Sequence, residues 1–371
     1  MRSVGVEEEL LLVDARSGAP LAVSGAVLAA ADHLAWQHPG TSGRRDHEFE
    51  KELQKEQLEF ATKPVTEMGE LQEEILRIRG EAARHAAKAG AVVAAVATSP
   101  LPVRPTLNVG RRYRWMGEQF GLTAQEQLTC GCHVHVSVSS DDEGVAVLDR
   151  IRPWLAVLTA MSANSPFWQG EDSGYASYRS RVWNRWPSAG PVEIFGSADR
   201  YHEQVNAMID TGVLRDEGMI YFDARLSATY PTVEVRVADV CLAPSTPVLL
   251  AALVRGLVET AARDWQNGEP PTRIGTSLLR LASWRAGRSG LDGPLLHPET
   301  MRETSAVDAV ETLYRYVRQA LVDHGDDERV RDGIAHLHER GNGARIQRRL
   351  RDDEGTLASV ITRCARKTIE R

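Results

Sequence analysis

Lysine is scarce in this chain of 371 residues, which has five lysines against 39 arginines. No lysine follows a glycine, so the sequence lacks a phosphate-binding loop of the G-K-[ST] type. The same scarcity leaves few candidates for a Schiff-base lysine. If this protein handles phosphate, arginine side chains and metal ions must do it.

Cysteines and long apolar runs are also few. The four cysteines cannot form a disulfide-rich framework, so we expect a reducing, cytoplasmic setting. No apolar run approaches the ~20 residues of a membrane span, and the N-terminus lacks the apolar core of a signal peptide. A net charge of −7 argues against a general nucleic-acid binder. The expected partners are therefore small molecules, without nucleic acid or membrane.

The order of the elements predicts the class α+β. An apolar content of 42% with 26% charged residues is ordinary for a globular protein, and no repeat or linker stands out. We therefore predict one catalytic domain over residues 1–371, with the site motifs in 1–241 and a mostly helical part over 242–371. Periodicity predicts strands over 4–13, 91–97, 130–139, 221–226 and 232–240, helices over 24–35, 71–89, 145–163 and 246–265, and a long loop over 165–190.

The stretch P-T-V-E-V-R-V-A over residues 231–238 alternates apolar and polar residues. In a strand its three valines would be buried on one face, and Glu234 and Arg236 would lie side by side on the other. Asp223 and Arg225, in Y-F-D-A-R, repeat the acid-x-Arg pattern. A carboxylate and a guanidinium on a strand suit metal and phosphate chemistry, although a half-buried strand with a surface ion pair has the same pattern.

Two groups of acids are candidate metal ligands. Glu7 and Glu9 share one face of the first predicted strand, and two carboxylates ~4 Å apart repel by ~4 kcal/mol at an effective dielectric of ~20. Such a pair needs a cation, a shared proton or an arginine nearby, unless it is a solvated cluster on an edge strand. Glu52, Glu56 and Glu59 lie on one face at helical spacing, which is also typical of a Glu/Lys-rich surface helix.

The segment C-G-C-H-V-H-V-S-V over residues 130–138 resembles a zinc motif at first sight. Strand geometry argues against zinc, because His133 and His135 fall on one face while Cys130 and Cys132 fall on the other with the valines. The cysteines are therefore expected in the core. The histidines are candidate ligands for metal or phosphate, or a hydrogen-bonded pair.

Arginines also occur within the aromatic-rich loop. Arg179 and Arg181 stand in Y-A-S-Y-R-S-R-V-W, where they could bind carboxylate or phosphate in a bidentate manner or simply stack on aromatic rings. At least three predicted strands thus offer charged groups on one face and apolar groups on the other. This pattern predicts a sheet with helices on one face and a concave, charged face suited to Mg²⁺ or Mn²⁺ and phosphate.

Taken together, these segments resemble the type 2 glutamate–cysteine ligases, the bacterial ATP-dependent carboxylate–amine ligases. The motifs occur in family order from residue 4 to residue 241: G-V-E-E-E, E-x6-E-x-A-T, C-H-V-H-V, S-A-N-S-P-F-W-Q-G, Y-R, F-D-A-R and P-T-V-E-V-R-V-A-D. One departure is Thr98-Ser99-Pro100, where many relatives have T-H-P. Any contribution from a histidine at position 99 is therefore absent or replaced.

The resemblance implies a glutamine-synthetase-like fold with a largely antiparallel, curved sheet, helices on its outer face, and a site for ATP and Mg²⁺. Carried over by position, the implied metal ligands are Glu7, Glu9, Glu52, Glu59, His133 and Glu234. The implied binders of ATP or substrate are Arg179, Asp223, Arg225 and Arg236. Arg179, Glu234 and Arg236 are the predicted catalytic residues.

The expected reaction joins a carboxylate, that of the glutamate side chain in the family's reference reaction, to the amine of cysteine or another amino acid through an acyl phosphate. An alternative is a small-molecule phosphotransferase, such as an amino-acid or guanidine kinase, on the same fold. A metallohydrolase using His133 and His135, or an inactive binding protein, are further alternatives. The sequence leaves open a homodimer and the role of Arg345, Arg348 and Arg349.

Overall fold

The computed structural model describes residues 1–37 and 49–370, with the side chains of residues 32–37 left out. Its strands are β1 Val4–Val13, β2 Phe49–Glu50, β3 Gln57–Ala61, β4 Val92–Ala94, β5 Gly131–Ser137, β6 Phe167–Trp168, β7 Glu171–Asp172, β8 Ala224–Leu226, β9 Thr232–Asp239, β10 Leu295–Leu296 and β11 Glu303–Thr304. Its α-helices are α1 Ser24–Gln37, α2 Met68–Lys88, α3 Arg111–Phe120, α4 Leu122–Gln125, α5 Asp141–Ile151, α6 Leu155–Ser162, α7 Arg179–Trp183, α8 Ala198–Asp210, α9 Ser245–Gln266, α10 Thr276–Ser289, α11 Ala306–His324, α12 Asp327–Arg340, α13 Gly343–Glu354 and α14 Leu357–Lys367.

A seven-stranded antiparallel sheet is the largest in the described part of the chain. Its strands follow the order β2-β3-β1-β5-β9-β8, and β4 pairs with β1 beside this path. The strands that the sequence predicts over 4–13, 130–139 and 232–240 form the adjacent β1, β5 and β9, so the three polar strand patterns meet in the middle of one sheet.

The apolar face of this sheet packs against helices. Val6 of β1, Val134 of β5 and Val235 of β9 belong to one buried cluster with residues of α5 and α9. Cys132 is buried in the same cluster, as the alternation of β5 predicts. The valines are branched at Cβ and pack well on a pleated surface, so the pattern that forms each strand also fixes which of its faces is buried.

A buried ion pair fixes α2 to this apolar face. Glu8 points away from the face that carries Glu7 and Glu9, and its Oε1 lies 2.6 Å from Nη2 of Arg79. Both side chains are fully buried, and Arg79 also donates to the carbonyl oxygen of Cys241 at 2.7 Å. A buried guanidinium is stable here because its donors have partners in the carboxylate and the backbone.

Two predicted elements are interrupted. The single helix expected over 145–163 is two helices, α5 and α6, separated by a 3₁₀ turn at Arg152–Trp154. Pro153 lies in that turn, where the missing N–H breaks the α-helical hydrogen-bond series. The expected loop over 165–190 contains the short β6–β7 hairpin and the helix α7, which carries Arg179.

Helix α9 is long and apolar enough to cross a bilayer, with a hydropathy of 1.3 in its 18-residue window, contrary to the expectation that no segment approaches this length. Of that window, 83% is buried inside the protein. The central helix of a protein core passes the same test, so this helix is weak evidence for a membrane span. The single catalytic domain over residues 1–371 stays a prediction.

Candidate active site

A row of cross-strand pairs crosses the polar face of the sheet. The neighbours in this polar row are Glu59–Glu9 between β3 and β1, Glu7–His133 between β1 and β5, His135–Glu234 between β5 and β9, and Glu234–Arg225 between β9 and β8. Side chains directly opposite each other on antiparallel strands have Cβ atoms ~5 Å apart. Register alone therefore brings together groups that are up to 227 residues apart in the sequence.

A cavity of about 230 Å³ lies over the polar row. Its acidic side is lined by Glu7, Glu9, Glu52 and Glu59 together with His133. Arg225 and Arg236 line the cavity over β8 and β9, beside the rings of Trp183 and Tyr221, and Arg112, Tyr113 and Trp186 are also part of the lining. A larger cavity of about 520 Å³ lies elsewhere, between α2, α13 and α14, and it is lined by none of the predicted site residues. We therefore take the smaller cavity as the candidate active site.

Two groups of side chains in this site have the spacing of metal ligands, and they share His133. One is Glu7, His133 and Glu234, and the other is Glu9, Glu59 and His133, with all ligand atoms in each group within 4.8 Å of one another. Nδ1 of His133 lies 3.3 Å from Oε2 of Glu7 and 3.7 Å from Oε1 of Glu234. Carboxylate oxygens with one imidazole suit Mg²⁺ or Mn²⁺.

The acids on one side of the cavity repel each other. Burial, together with the charge of Glu52, raises the pKa of Glu9 to about 8. Burial and the neighbouring acids also raise the pKa of Glu59 well above its usual range, and burial raises that of Glu52. Carboxylates whose pKa values are raised by burial and by each other's charge are a donor set that a divalent cation would stabilise. The chemistry of these residues thus fits a metal.

The pKa values of Glu7 and Glu234 are lowered instead of raised. Burial would raise the pKa of Glu7, but hydrogen bonds with His133 and His135 outweigh it and hold the pKa well below its usual range. For Glu234 burial is outweighed by Arg236 and Arg225, which hold its pKa at about 2. Both carboxylates are therefore charged at neutral pH and available as ligands.

His133 is a neutral imidazole in this setting. Burial and the nearby Arg236 lower its pKa to about 4. A neutral ring keeps a lone pair that can bind a metal ion. His135 differs, because the hydrogen bond and the charge of Glu7 outweigh burial and raise its pKa. His135 is also fixed from the other side, since its Nδ1 lies 3.0 Å from Oγ1 of Thr232.

The two strand arginines hold Glu234 between them. Nε of Arg225 lies 2.7 Å from Oε2 of Glu234, and Arg236 contacts the other carboxylate oxygen. Arg225 also donates to the carbonyl oxygen of Ile220 at 2.9 Å, which ties one wall of the cavity to β8. The guanidinium of Arg236 stacks on the ring of Trp183 at 5.6 Å from its centroid. Both arginines are thus fixed beside the acidic side of the cavity.

Arg179 lies directly behind the cavity lining. It is 2% exposed, its guanidinium lies 5.4 Å from the centroid of Trp183, and its Nη2 lies 3.5 Å from the carbonyl oxygen of Arg236. Gly131 makes room for it, because a Cβ at that position would lie 2.3 Å from Nη2 of Arg179. The structure therefore brings Arg179 next to the predicted ligands, although other residues form the surface of the cavity.

Three expectations about the site differ from the structure: the helix over residues 52–59, the shared face of Glu56 with Glu52 and Glu59, and the place of Asp223. The segment with Glu52, Glu56 and Glu59 is not a helix but a turn that enters β3. Because of this turn, Glu52 and Glu59 reach the cavity, while the carboxylate of Glu56 accepts a hydrogen bond from the backbone N–H of Thr106 at 3.1 Å. Asp223 is the third correction. It precedes β8 and, with Val237, lines a separate small cavity.

Asp223 thus does not line the candidate cavity, and its part in binding ATP or substrate stays a prediction. Burial raises its pKa to about 6, with the charge of Arg181 acting against this rise. The acid-x-Arg pattern led to the wrong face because regular alternation begins only at Ala224, where β8 starts. Arg225, within the strand, does face the cavity.

The cavity also has residues that the sequence analysis missed. Arg112 of α3 lines it and pairs with Asp216, and Tyr113 donates to the carbonyl oxygen of Lys51 at 3.0 Å. Gln127 contributes a buried amide beside Thr129. The R-R-Y-R-W run over 111–115 has the same mixture of arginine and aromatic residues as the loop around Arg179, and this signal could have drawn attention to Arg112.

The arginines near the C-terminus have structural partners. Arg348 forms a two-point contact with Asp172 at 2.7 and 2.9 Å, Arg345 donates to Asp292 at 2.6 Å, and Arg349 donates to the last turn of α12. Arg348 thus ties α13 to the β6–β7 hairpin. Ser99, at the departure from the T-H-P motif, donates to the carbonyl oxygen of Leu101 at 2.8 Å. These contacts explain the side chains without a substrate.

Comparison with known proteins decides the family. A sequence model described as glutamate-cysteine ligase family 2 matches residues 3–363. The chain belongs to this family. A relative from Streptomyces avermitilis, "Putative glutamate--cysteine ligase 2-1", is 60% identical over 368 residues, which cover 99% of each chain. A second, from Streptomyces coelicolor, "Putative glutamate--cysteine ligase 2", is 58% identical with the same coverage.

Solved structures of low sequence identity have the same fold. The glutamate–cysteine ligase of Francisella tularensis, in complex with AMP, aligns with a TM-score of 0.68 at 12% identity and covers 100% of this chain and 89% of its own. A bifunctional glutathione synthetase from Pasteurella multocida aligns with a TM-score of 0.68 at 14% identity. That alignment covers 99% of this chain and 52% of the Pasteurella chain.

These findings confirm the predicted family and the glutamine-synthetase-like α+β fold. As a member of glutamate-cysteine ligase family 2, the protein is an ATP-dependent carboxylate–amine ligase that acts on small molecules. The family membership therefore favours the ligase over the metallohydrolase and over the inactive binding protein.

Proposed function

We propose that this enzyme joins the side-chain carboxylate of glutamate to the amine of cysteine or another amino acid through an acyl phosphate. In the first step a carboxylate oxygen attacks the γ-phosphorus of ATP, the bond from that phosphorus to the bridging oxygen breaks, and ADP leaves. In the second step the amine nitrogen attacks the acyl carbon, inorganic phosphate leaves, and the nitrogen loses a proton.

The observation that carries this proposal is that acids and arginines line the same cavity. ATP-dependent activation brings together polyphosphate and a carboxylate, which both need positive charge around them. Arginines supply it, and the mutually repelling acids are suited to hold cations. Membership of the ligase family and a fold neighbour that was solved with AMP support the same assignment.

The residues that would hold Mg²⁺, or Mn²⁺, are Glu7, Glu9, Glu52, Glu59, His133 and Glu234. When bound, the metal would neutralise phosphate charge and orient the polyphosphate for in-line attack. Because His133 is neutral while Glu7 and Glu234 are charged at neutral pH, these ligands need no deprotonation before they bind.

The arginines would stabilise the phosphoryl group in transfer. Arg225 and Arg236 line the cavity with their guanidinium groups fixed by Glu234, so they need little reorganisation as charge develops. Arg179 lies behind them and adds positive charge from the aromatic loop. The rings of Trp183 and Tyr221, which cover this side, would limit the access of water to an acyl phosphate.

The test is ATP consumption by the purified enzyme with Mg²⁺ and glutamate, with and without cysteine and other amino acids, with products identified by mass spectrometry. We expect ADP and an amide in wild type, and neither in Glu234→Gln. Glu56→Gln is the control, because Glu56 is also a buried glutamate, but it does not line the cavity and its carboxylate accepts a hydrogen bond from the N–H of Thr106.

ATP turnover that yields a phosphorylated amino acid or guanidine compound and no amide would replace the ligase by the phosphotransferase alternative. Absence of ATP turnover with every pairing would refute the proposal.

A further inference from the structure

Asp239 is a fully buried carboxylate at the end of β9, three residues after Arg236. Its Oδ2 accepts hydrogen bonds from the backbone N–H of Asn164 at 2.8 Å and from the hydroxyl of Ser165 at 2.7 Å. Its Oδ1 accepts a hydrogen bond from the hydroxyl of Ser177 at 2.8 Å. One carboxylate thus holds both ends of the hairpin segment that leads into α7.

These hydrogen bonds continue to the backbone that carries Arg179. The Ser165 hydroxyl accepts from the N–H of Arg179 at 3.0 Å, and the Ser177 hydroxyl accepts from the N–H of Ser180 at 3.3 Å. A helix of five residues has little stability of its own. Asp239, through two serines, therefore fixes the start of the helix on which Arg179 lies.

Asp239 also acts on the guanidinium. Nη1 of Arg179 lies 4.0 Å from Oδ1 of Asp239, and no other acid among residues 1–31 and 49–370 comes this close to it. The guanidinium also contacts the ring of Trp183 and the carbonyl oxygen of Arg236, and Gly131 leaves space for it. Asp239 is thus its nearest counter-charge beside the cavity among the described side chains.

We propose that Asp239 is a positioning residue, which sets the place of Arg179 at the site through the Ser165 and Ser177 hydroxyls and through its own charge. This inference rests on the proposed role of Arg179 in binding the polyphosphate. A displacement of ~1 Å at a catalytic group can lower a rate by ~100-fold, so the effect of losing this anchor is measurable.

The test is a double-mutant cycle with Asp239→Asn and Arg179→Lys, measured as kcat for amide formation and as the Kd of Mg²⁺-ATP by calorimetry. We expect Asp239→Asn alone to lower kcat by ~10- to 100-fold. In the Arg179→Lys background the same change should cost under ~3-fold, because the group that Asp239 positions is already altered. If Asp239→Asn changes kcat and the Kd of Mg²⁺-ATP by the same factors in wild type and in the Arg179→Lys background, the inference is wrong.

Asp149→Asn is the matched control for a purely structural effect. Asp149 is 3% exposed, and its two oxygens accept hydrogen bonds from the backbone N–H groups of Phe195 and Gly196, each at 2.8 Å, which lie outside the aromatic loop over 165–190. We expect it to lower the unfolding temperature while kcat per folded molecule stays at the wild-type value. If Asp149→Asn lowers kcat as much as Asp239→Asn does, a positioning role is excluded.

The two proposals fail in different ways. If wild type consumes ATP without forming any amide, the proposed ligation is wrong, and the cycle in the Kd of Mg²⁺-ATP still reports on Asp239 and Arg179. If wild type forms the amide and the cycle is additive, the ligase assignment stands and Asp239 has no positioning role.

Discussion

Replacing Glu9 by glutamine should stabilise the metal-free enzyme while it removes function. The pKa of Glu9 rises from 4.5 to about 8, chiefly because the carboxyl is buried and because Glu52 lies nearby. Gln is isosteric with Glu, and its amide oxygen can still accept the hydrogen bond from the N–H of Gly131 that Glu9 accepts at 2.9 Å. The substitution thus removes the titration of Glu9 and leaves the packing in place.

The size of the effect follows from proton linkage. The folded state holds the proton of Glu9 up to about pH 8, whereas the unfolded chain releases it near pH 4.5. Between these values the unfolded state binds fewer protons, so stability falls by ~1.4 kcal/mol for each pH unit of increase. At pH 7 the free energy of unfolding is therefore ~3 kcal/mol lower than it is below pH 4.5, and the loss grows no further once the pH exceeds the pKa of Glu9 in the folded state.

The assay is urea unfolding at pH 5, 7 and 8 in EDTA and in Mg²⁺. In EDTA we expect Glu9→Gln to be more stable than wild type at pH 7 and pH 8, with a smaller difference at pH 5. In Mg²⁺ wild type should recover the stability that it lacks in EDTA, and Glu9→Gln should gain less. Glu56→Gln, at a buried glutamate outside the cavity, should show none of this pattern.

Two results would refute this argument. One is a Glu9→Gln variant that is less stable than wild type in EDTA at pH 8, and the other is a variant whose stability depends on pH as that of wild type does. Either result would show that burial and repulsion among Glu9, Glu52 and Glu59 do not destabilise the metal-free enzyme. The metal assignment would then lose its electrostatic basis.

Three further outcomes are expected. Glu8→Gln should lower the free energy of unfolding by ~3–5 kcal/mol in urea, because it leaves the buried Arg79 without its counter-charge, and an unaffected stability would contradict this. Gly131→Ala should lower kcat and should also lower the free energy of unfolding by ~1–3 kcal/mol, because the new Cβ would collide with Arg179. Wild-type kinetics in this variant would contradict the prediction, since they would mean that the collision is relieved. Arg225→Lys should reduce kcat/KM for ATP by ~10- to 100-fold, because lysine cannot reproduce the fork that bonds to both Glu234 and the backbone, and a change below ~3-fold would contradict this role.

Sequence patterns predicted the strands of the site well. Alternation in β1 predicted that Glu7 and Glu9 lie on one face of the sheet and Glu8 on the other. Alternation in β5 likewise predicted the two histidines on one face and Cys132 on the other, and the structure has both arrangements. Alternation is reliable there because one face of each strand is buried, and a shift of one residue would bury every charge.

The same reasoning was wrong where local geometry was irregular. Glu52, Glu56 and Glu59 fit a helical face, but the chain turns into β3 and sends Glu56 away from the cavity. Asp223 copies the spacing of a strand pair one residue before the strand begins. Spacing in the sequence carries no information on where a regular element starts, and a single irregular residue reverses the face.

The sequence by itself determined the family, the α+β class, the polar faces of the central strands and the residue types suited to metal and phosphate. Only the tertiary structure decided which of these residues meet. Strand order placed Glu59 beside Glu9 and Glu234 beside His135, a turn brought in Glu52, and α3 and α7 added Arg112 and Arg179 from outside the sheet. The physical reason is that periodicity fixes the direction of a side chain relative to its own strand, whereas the neighbour it faces depends on register and packing between distant segments.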